Sequence, residues 1–159
     1  MIRCTFRLNG AGMSVLSCPG VGFFRAYSGY AGTSRNNPES TGIKKIGPLP
    51  VGRYYIVSRP EGGRLGPYRD FFASIISGSD RSIWFALFRD DGSIDDVTFI
   101  EQVARGNFRL HPAGYKGVSE GCITFASASE FDVLRASLLQ TATVKITASL
   151  TAYGTVQVY

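Results

Sequence analysis

Arg109-Leu-His-Pro-Ala-Gly-Tyr-Lys-Gly-Val-Ser-Glu-Gly-Cys-Ile-Thr124 contains His111, the one histidine of the 159-residue chain, eleven residues before Cys122. The segment Asn107–His111 reads as a strand that stops at Pro112, a residue with no N–H to give to a sheet ladder. A loop with glycines follows, then a Gly-Cys step. A thiol attacks carbonyls only as thiolate, and a free cysteine with a pKa of about 8.5 is mostly protonated at neutral pH. A neighbouring imidazole takes that proton and later returns it to a leaving amine. Strand, loop and Gly-Cys step therefore supply a base, a flexible approach and a nucleophile. The plainer alternative is a packed thiol and a satisfied core histidine.

Working outward, most of the chain reads as short strands. Thr5–Leu8 and Met13–Ser17 flank a turn region, Asn9–Gly12, and Val21–Tyr27 is a further apolar strand. Ser28–Gly47 is polar, contains Gly, Asn and Pro, and reads as a loop of about 20 residues, a length that is usually functional or mobile. The rigid Gly47–Gly52 turn leads into Arg53–Ser58, rich in β-branched and aromatic residues. Pro67–Ile76 suits one short helix, with Phe71, Phe72, Ile75 and Ile76 as its apolar set. Ile83–Phe88 is a continuous apolar run, read as a buried central strand, and Asp90-Asp91-Gly92 turns the chain after it. Beyond Cys122, Ser127–Glu130 reads as a capping box in which Ser127 accepts from a free N–H and Glu130 reaches back. The helix it starts places Phe131, Leu134, Leu138 and Leu139 on one face. Val144–Leu150 and Thr155–Tyr159 alternate polar and apolar and close the chain as two strands. The expected architecture is a single strand-rich α+β domain over residues 1–159, a barrel or sandwich with one or two helices.

Composition bounds the function. At 159 residues one domain can bury a self-sufficient core, and 19 Gly, 11 Phe and 8 Tyr favour a β-rich fold with many turns. No apolar stretch reaches the roughly 18 residues that cross a bilayer, so membrane insertion is not expected. The first residues are basic but have no apolar core and no small-residue cleavage site, so they do not read as a secretory signal. That leaves a cytosolic protein, export by a route that reads no N-terminal signal, or a sequence that begins after processing. The net charge is +5, with 13 Arg and 4 Lys. The arginines are scattered (Arg3, Arg7, Arg25, Arg35, Arg53, Arg59, Arg64, Arg69) and form no stripe, so nucleic acid is not the expected partner. An acidic cell-envelope substrate suits the charge equally well.

Cys4, Cys18 and Cys122 lack C-x-x-C spacing and there is a single His, so neither a metal nor another cofactor is expected. Asp90, Asp91, Asp95 and Asp96 do not complete a twelve-residue calcium loop and read as a solvated acidic turn. Cys4 and Cys18, on either side of the Asn9–Gly12 turn, read equally as a disulfide or as two buried thiols. Cys122 is the unpaired cysteine on either reading.

Ser119-Glu-Gly-Cys-Ile123 preceded by His111 resembles the L,D-transpeptidase active site, whose usual form is His, a spacer, then Ser/Thr-His-Gly-Cys. The wider pattern is similar to the type VI secretion L,D-transpeptidase effectors. It comprises Tyr27-Ser-Gly29, Gly47–Ile56, Trp84 with Asp90-Asp91-Gly92, and Arg105–Pro112 with Ser119–Thr124, across about residues 22–140. The spacer here is shorter than usual, and Glu120 stands where the second histidine of the motif would be.

The resemblance implies a peptidoglycan-modifying toxin with an L,D-transpeptidase-like fold, made in the cytoplasm and delivered to the periplasm of a rival by type VI secretion machinery. Its partners would be peptidoglycan stem peptides and a cognate immunity protein. It implies cleavage between meso-diaminopimelate and the terminal D-alanine of a tetrapeptide, or exchange of that D-alanine for another D-amino acid. Cys122 would be the nucleophile, His111 the base, and a carbonyl near Pro112 the third member. Backbone N–H groups of Gly121 and Cys122 would hold the oxyanion, and Gly121 would let substrate approach. Ser119 is read as a loop brace or a turn residue, and Arg109 as a substrate-carboxylate ligand or an ordinary surface charge. Tyr27, Ser28 and Glu120 are further substrate-side candidates. The rivals are another cell-wall cysteine amidase or endopeptidase of papain type, against which the His-before-Cys order argues, and a secreted β-rich binding domain with an inert Cys122. A low-pKa thiol at Cys122 would separate the enzyme from the binding domain.

Overall fold

Short strands with alternating buried and exposed residues need partners on both edges, and here the sheet finds them by closing on itself. The structure is a computed structural model that describes residues 1–59 and 80–159, so the helix expected over Pro67–Ile76 lies outside the described residues. β1 (Ile2–Phe6), β2 (Ser14–Cys18) and β3 (Gly22–Tyr27) form an antiparallel meander. β4 (Gly52–Ser58) pairs with β5 (Phe85–Arg89). Then come a separate hairpin, β6 (Val97–Ile100) with β7 (Val103–Gly106), and the strands β8 (Arg109–Pro112) and β9 (Ile123–Phe125). Helix α1 (Ala128–Gln140), β10 (Val144–Lys145) and β11 (Thr151–Val158) end the chain.

The strand order is β1-β2-β3-β9-β8-β5-β4-β11, and β11 returns to β1 in parallel, from Ile2 opposite Gly154 to Phe6 opposite Val158. This closes an eight-stranded barrel, with β10 added alongside β11. Closure leaves the barrel strands no free edge to pair with another chain. The fold is the expected strand-rich α+β class, in its barrel form.

The interior is set by the two-residue period of the strands. Tyr54 and Ile56, Phe85 and Leu87, Leu110, Ile123 and Phe125 all point into one apolar core. Helix α1 adds Phe131, Leu134 and Leu138 to it, each side chain contributing about 1.5–3 kcal/mol by leaving water. Leu139, expected on that same face, is exposed, because the helix turns it away from the barrel. The capping box is only half made. Ser127 Oγ accepts from Glu130 N–H at 3.4 Å, while the Glu130 carboxylate accepts from Arg25 N–H on β3 at 3.2 Å instead of reaching back. That carboxylate thereby ties the start of the helix to the barrel wall.

Cys4 and Cys18 form a disulfide between β1 and β2 inside the core, which decides between the two readings. Other boundaries moved for local reasons. The Asp80 side chain caps a 3-10 turn over Arg81–Ile83 by accepting from Ser82 N–H, so Ile83 and Trp84 precede β5 and are not part of it. Asn107 has a left-handed φ of 56° and belongs to a turn, which delays β8 to Arg109. The region Val144–Leu150 contributes only the two residues of β10.

The feature that places the site is the parallel pairing of β8 with β9, in which His111 lies opposite Thr124. Parallel neighbours usually need a crossover of about a dozen residues, often helical. Here residues 113–122 make the crossover as a loop.

Candidate active site

Leu110, Ile123 and Phe125 face the core, so alternation puts Arg109, His111, Cys122 and Thr124 together on the outer face of β8 and β9. Base and thiol therefore share one face. Neither is open to solvent: His111 is 1 % exposed and Cys122 2 %.

The imidazole is fixed on three sides. Nδ1 lies 2.8 Å from the Pro112 carbonyl oxygen. A carbonyl only accepts, so Nδ1 carries the proton and Nε2 is left with the basic lone pair. Nε2 faces the Thr124 hydroxyl at 3.4 Å. The Trp84 indole stacks on the ring, with centroids 4.3 Å apart and planes 19° from parallel. The Cys122 thiol points at the carbonyl of Asn107, 3.9 Å away, and does not hydrogen-bond to the imidazole in this structure.

Burial dominates the electrostatics. It pushes the His111 pKa down to about 4, opposed by the Pro112 hydrogen bond and helped by the charge of Arg109. It pushes the Cys122 thiol up to about 11, while Arg109 pulls down through its charge and its backbone N–H, and Asp96 and Glu120 push further up. The pair is thus thiol and neutral imidazole, not thiolate and imidazolium. The low-pKa thiol by which an enzyme was to be recognised is not present in this geometry, and the physical cause is desolvation.

The loop that carries the thiol is held from several directions. Ser119 is fully buried, donates to the Cys122 carbonyl at 2.8 Å and accepts from Gly29 N–H at 3.2 Å. Gly121 has φ +115°, and a Cβ there would meet Arg105 Nη2 at 2.7 Å and Phe108 Cε1 at 2.9 Å. Only glycine fits. The Arg105 guanidinium behind it donates to the carbonyls of Thr41, Gly47 and Pro48, which pins the end of the 28–47 loop against Gly121.

Tyr27 lies opposite Thr124 in the β3–β9 register, and the Arg35 guanidinium sits 4.0 Å over its ring. Arg35 also donates to the carbonyls of Gly29 and Gly117 and so joins the two loops. Ser28 is buried, donates its N–H to Asn36 Oδ1 at 2.8 Å and accepts from Leu49 N–H on Oγ at 2.7 Å. Tyr27 and Ser28 are part of the scaffold around the thiol loop. Arg109 is no ordinary surface charge: it is buried and makes a two-pronged ion pair with Asp96, at 2.7 and 2.6 Å. Asp96 is accordingly not a solvated turn residue. Asp90 accepts from Tyr55 and Asp91 from the Thr98 hydroxyl. Glu120 is half-buried beside Gly121, and its Oε2 has no hydrogen-bond partner among the described residues.

The structure brings His111, Pro112, Gly121, Cys122, Ser119, Arg109 and Glu120 together, with Tyr27 and Ser28 adjoining. Sequence reasoning missed Asp96, Arg105 and Asn36 as site-building residues. Their signal would have been a polar residue beside an apolar run, which is too common to be selective. Trp84, the sole tryptophan, was noticed, but not its stacking on the histidine.

No group of three or more His, Cys, Asp or Glu among the described residues is arranged to hold a metal. No helix among them is long and apolar enough to cross a membrane. In comparison with known proteins, a family model described as the Tlde1 domain matches residues 22–149. No curated protein matches the chain.

Proposed function

Because this chain belongs to the Tlde1 domain family, the type VI secretion L,D-transpeptidase effectors, we propose that it is a cysteine-dependent enzyme acting on peptidoglycan stem peptides. The family is one of type VI effector toxins delivered into target cells. The reaction is removal of the terminal D-alanine from tetrapeptide stems, or its exchange for another D-amino acid, in the periplasm of the target. The producing cell is protected by a cognate immunity protein.

The observation that supports this most is the orientation of His111: with Nδ1 donated to the Pro112 carbonyl, Nε2 is the basic nitrogen and lies on the same face as Cys122. Substrate binding has to uncover the thiol and bring it to Nε2. His111 then removes the proton from Sγ as sulfur attacks the carbonyl of the L,D bond. The N–H groups of Gly121 and Cys122 hold the oxyanion, and losing one such donor costs about 2.7–4 kcal/mol of transition-state stabilisation. The imidazolium gives its proton to the departing D-alanine nitrogen, and a thioester remains on Cys122. Water or a D-amino acid amine opens it, with His111 again taking the proton. With a pKa of about 4 the buried imidazole is unprotonated at neutral pH but a weak base, so the substrate that uncovers the thiol also has to relieve the desolvation that lowers His111 and raises Cys122. Arg109 favours the thiolate through its charge and its N–H, and Ser119 holds the Cys122 carbonyl so that the loop N–H groups keep their direction.

The burial of Cys122 favours the rival reading, a binding domain with an inert thiol, and one assay separates the two. Purified protein is incubated with tetrapeptide muropeptides, and the products are weighed by mass spectrometry with and without an added D-amino acid. Wild type releases D-alanine and Cys122→Ala does not; an active Cys122→Ala protein refutes the nucleophile. Expression directed to the periplasm rounds or lyses the cell, while cytosolic expression is harmless. Equal toxicity in both compartments points to a target other than the wall.

A further inference from the structure

Glu120 is placed awkwardly for a bystander. It sits two residues before the proposed nucleophile, half-buried, with Oε2 shut off from water and without a hydrogen-bond partner among the described residues. A carboxylate oxygen in that position pays a desolvation penalty that a partner would remove. It also opposes the chemistry next to it, because its negative charge raises the Cys122 thiol. Lys45 on the facing loop is exposed and acts on Glu120 through its charge, without forming an ion pair. The charged groups that bear on the thiol are Arg109, Arg105, Asp96 and Glu120. Arg109 and Asp96 satisfy one another and Arg105 donates to the carbonyls of Thr41, Gly47 and Pro48, which leaves Glu120 as the one that no other side chain holds among the described residues.

We propose that Glu120 receives a primary ammonium group of the substrate, with Oε2 as the acceptor. This inference rests on the reading of Cys122 as a nucleophile for L,D bonds. Two sources in that reaction carry such a group: the diamino acid of the donor stem, through its side-chain amine, and an incoming D-amino acid. An ammonium against Oε2 supplies the missing hydrogen bond and cancels the charge that disfavours the thiolate. Arrival of a donor stem thereby helps to ionise the thiol, and a stem whose amine is blocked does not; an incoming D-amino acid binds after the thioester has formed, so there Oε2 positions its ammonium and His111 takes the proton it must lose before attack.

The test compares wild type with Glu120→Gln on two tetrapeptide stems, one with a free side-chain amine and one with that amine acetylated, and on D-methionine as exchange acceptor. If the donor supplies the ammonium, wild type prefers the free-amine stem by about tenfold or more in kcat/KM, and the preference collapses towards unity in Glu120→Gln. If the acceptor supplies it, the two stems react alike, and the KM for D-methionine rises by a similar factor in the variant. A preference is a ratio measured within one protein, so partial misfolding does not imitate its loss. In both cases the pH midpoint for alkylation of Cys122 by iodoacetamide, measured without substrate, moves down in Glu120→Gln. Equal stem preference together with an unchanged D-methionine KM overturns the inference while leaving the enzyme reading intact, and so does an unmoved alkylation midpoint. A wild-type protein that releases D-alanine from neither stem overturns both.

Discussion

Leu110, Ile123 and Phe125 point from β8 and β9 into the barrel, while Arg109, His111, Cys122 and Thr124 point from the same two strands to the other side. Both faces are buried, yet they are held differently. The inner side chains meet a continuous apolar core, where any well-filling hydrophobic residue is worth a similar amount. The outer ones are polar, and burial costs them free energy unless each finds a particular partner. Arg109 has Asp96, His111 has Pro112 and Thr124, and Ser119 has Gly29 and the Cys122 carbonyl. The lesson is that one pair of strands carries non-specific apolar packing on one side and directional polar contacts on the other.

The sharpest way to break this comparison is to change one residue on each face. Cys122→Ser keeps its stability within about 1 kcal/mol while D-alanine release falls by about 10⁴-fold or more. Phe125→Ala lowers stability by about 3–5 kcal/mol in chemical denaturation. A serine variant that unfolds as readily as the alanine one erases the distinction.

A second test titrates the outer face. His111 has a pKa of about 4 in the folded protein and about 6.5 when unfolded, so the unfolded chain takes up the proton first. Its contribution is fully present above about pH 6.5 and is lost as pH falls towards 4, a drop of about 3 kcal/mol. Carboxylates titrate in the same range, so the informative quantity is the slope, which is shallower in His111→Asn. Parallel slopes in the two proteins would mean that the imidazole is not desolvated as described.

The smallest expected effect belongs to the inner face. Reducing Cys4–Cys18, which closes a loop of 14 residues by sequence separation, lowers stability by about 2–3 kcal/mol. Because the bond lies in the core, away from the outer face, the rate of D-alanine release at a temperature well below melting stays within twofold. A large rate loss on reduction, with the fold intact by circular dichroism, would show that the two faces are coupled.

Much of the barrel was legible because strand formation leaves a local mark. Arg53–Ser58 carries β-branched and aromatic residues, and it became β4 with one residue added. The hairpin of β6 and β7 went unread for an equally local reason. Its turn, Glu101-Gln102, has φ values of 46° and 69°, a geometry for which the usual sequence signal is Asn-Gly, and neither residue advertises it. Glu130 shows a different limit: its spacing from Ser127 fits a capping box, but Arg25, 105 positions away in sequence, takes the carboxylate.

His111 and Cys122 were visible as a base and a thiol because their chemistry belongs to the residue types and their separation is short. Residue type and periodicity are local properties of a chain, so sequence alone determined the strand-rich class, the candidate pair and the glycine before the thiol. Only the tertiary structure decided that β8 and β9 run parallel, that both side chains leave the barrel on one side, and that Arg109 is tied to Asp96. It also decided that Cys4 meets Cys18. Partner identity and desolvation depend on segments far apart in the chain, such as Gly29 and Ser119, and these come together only when the barrel closes.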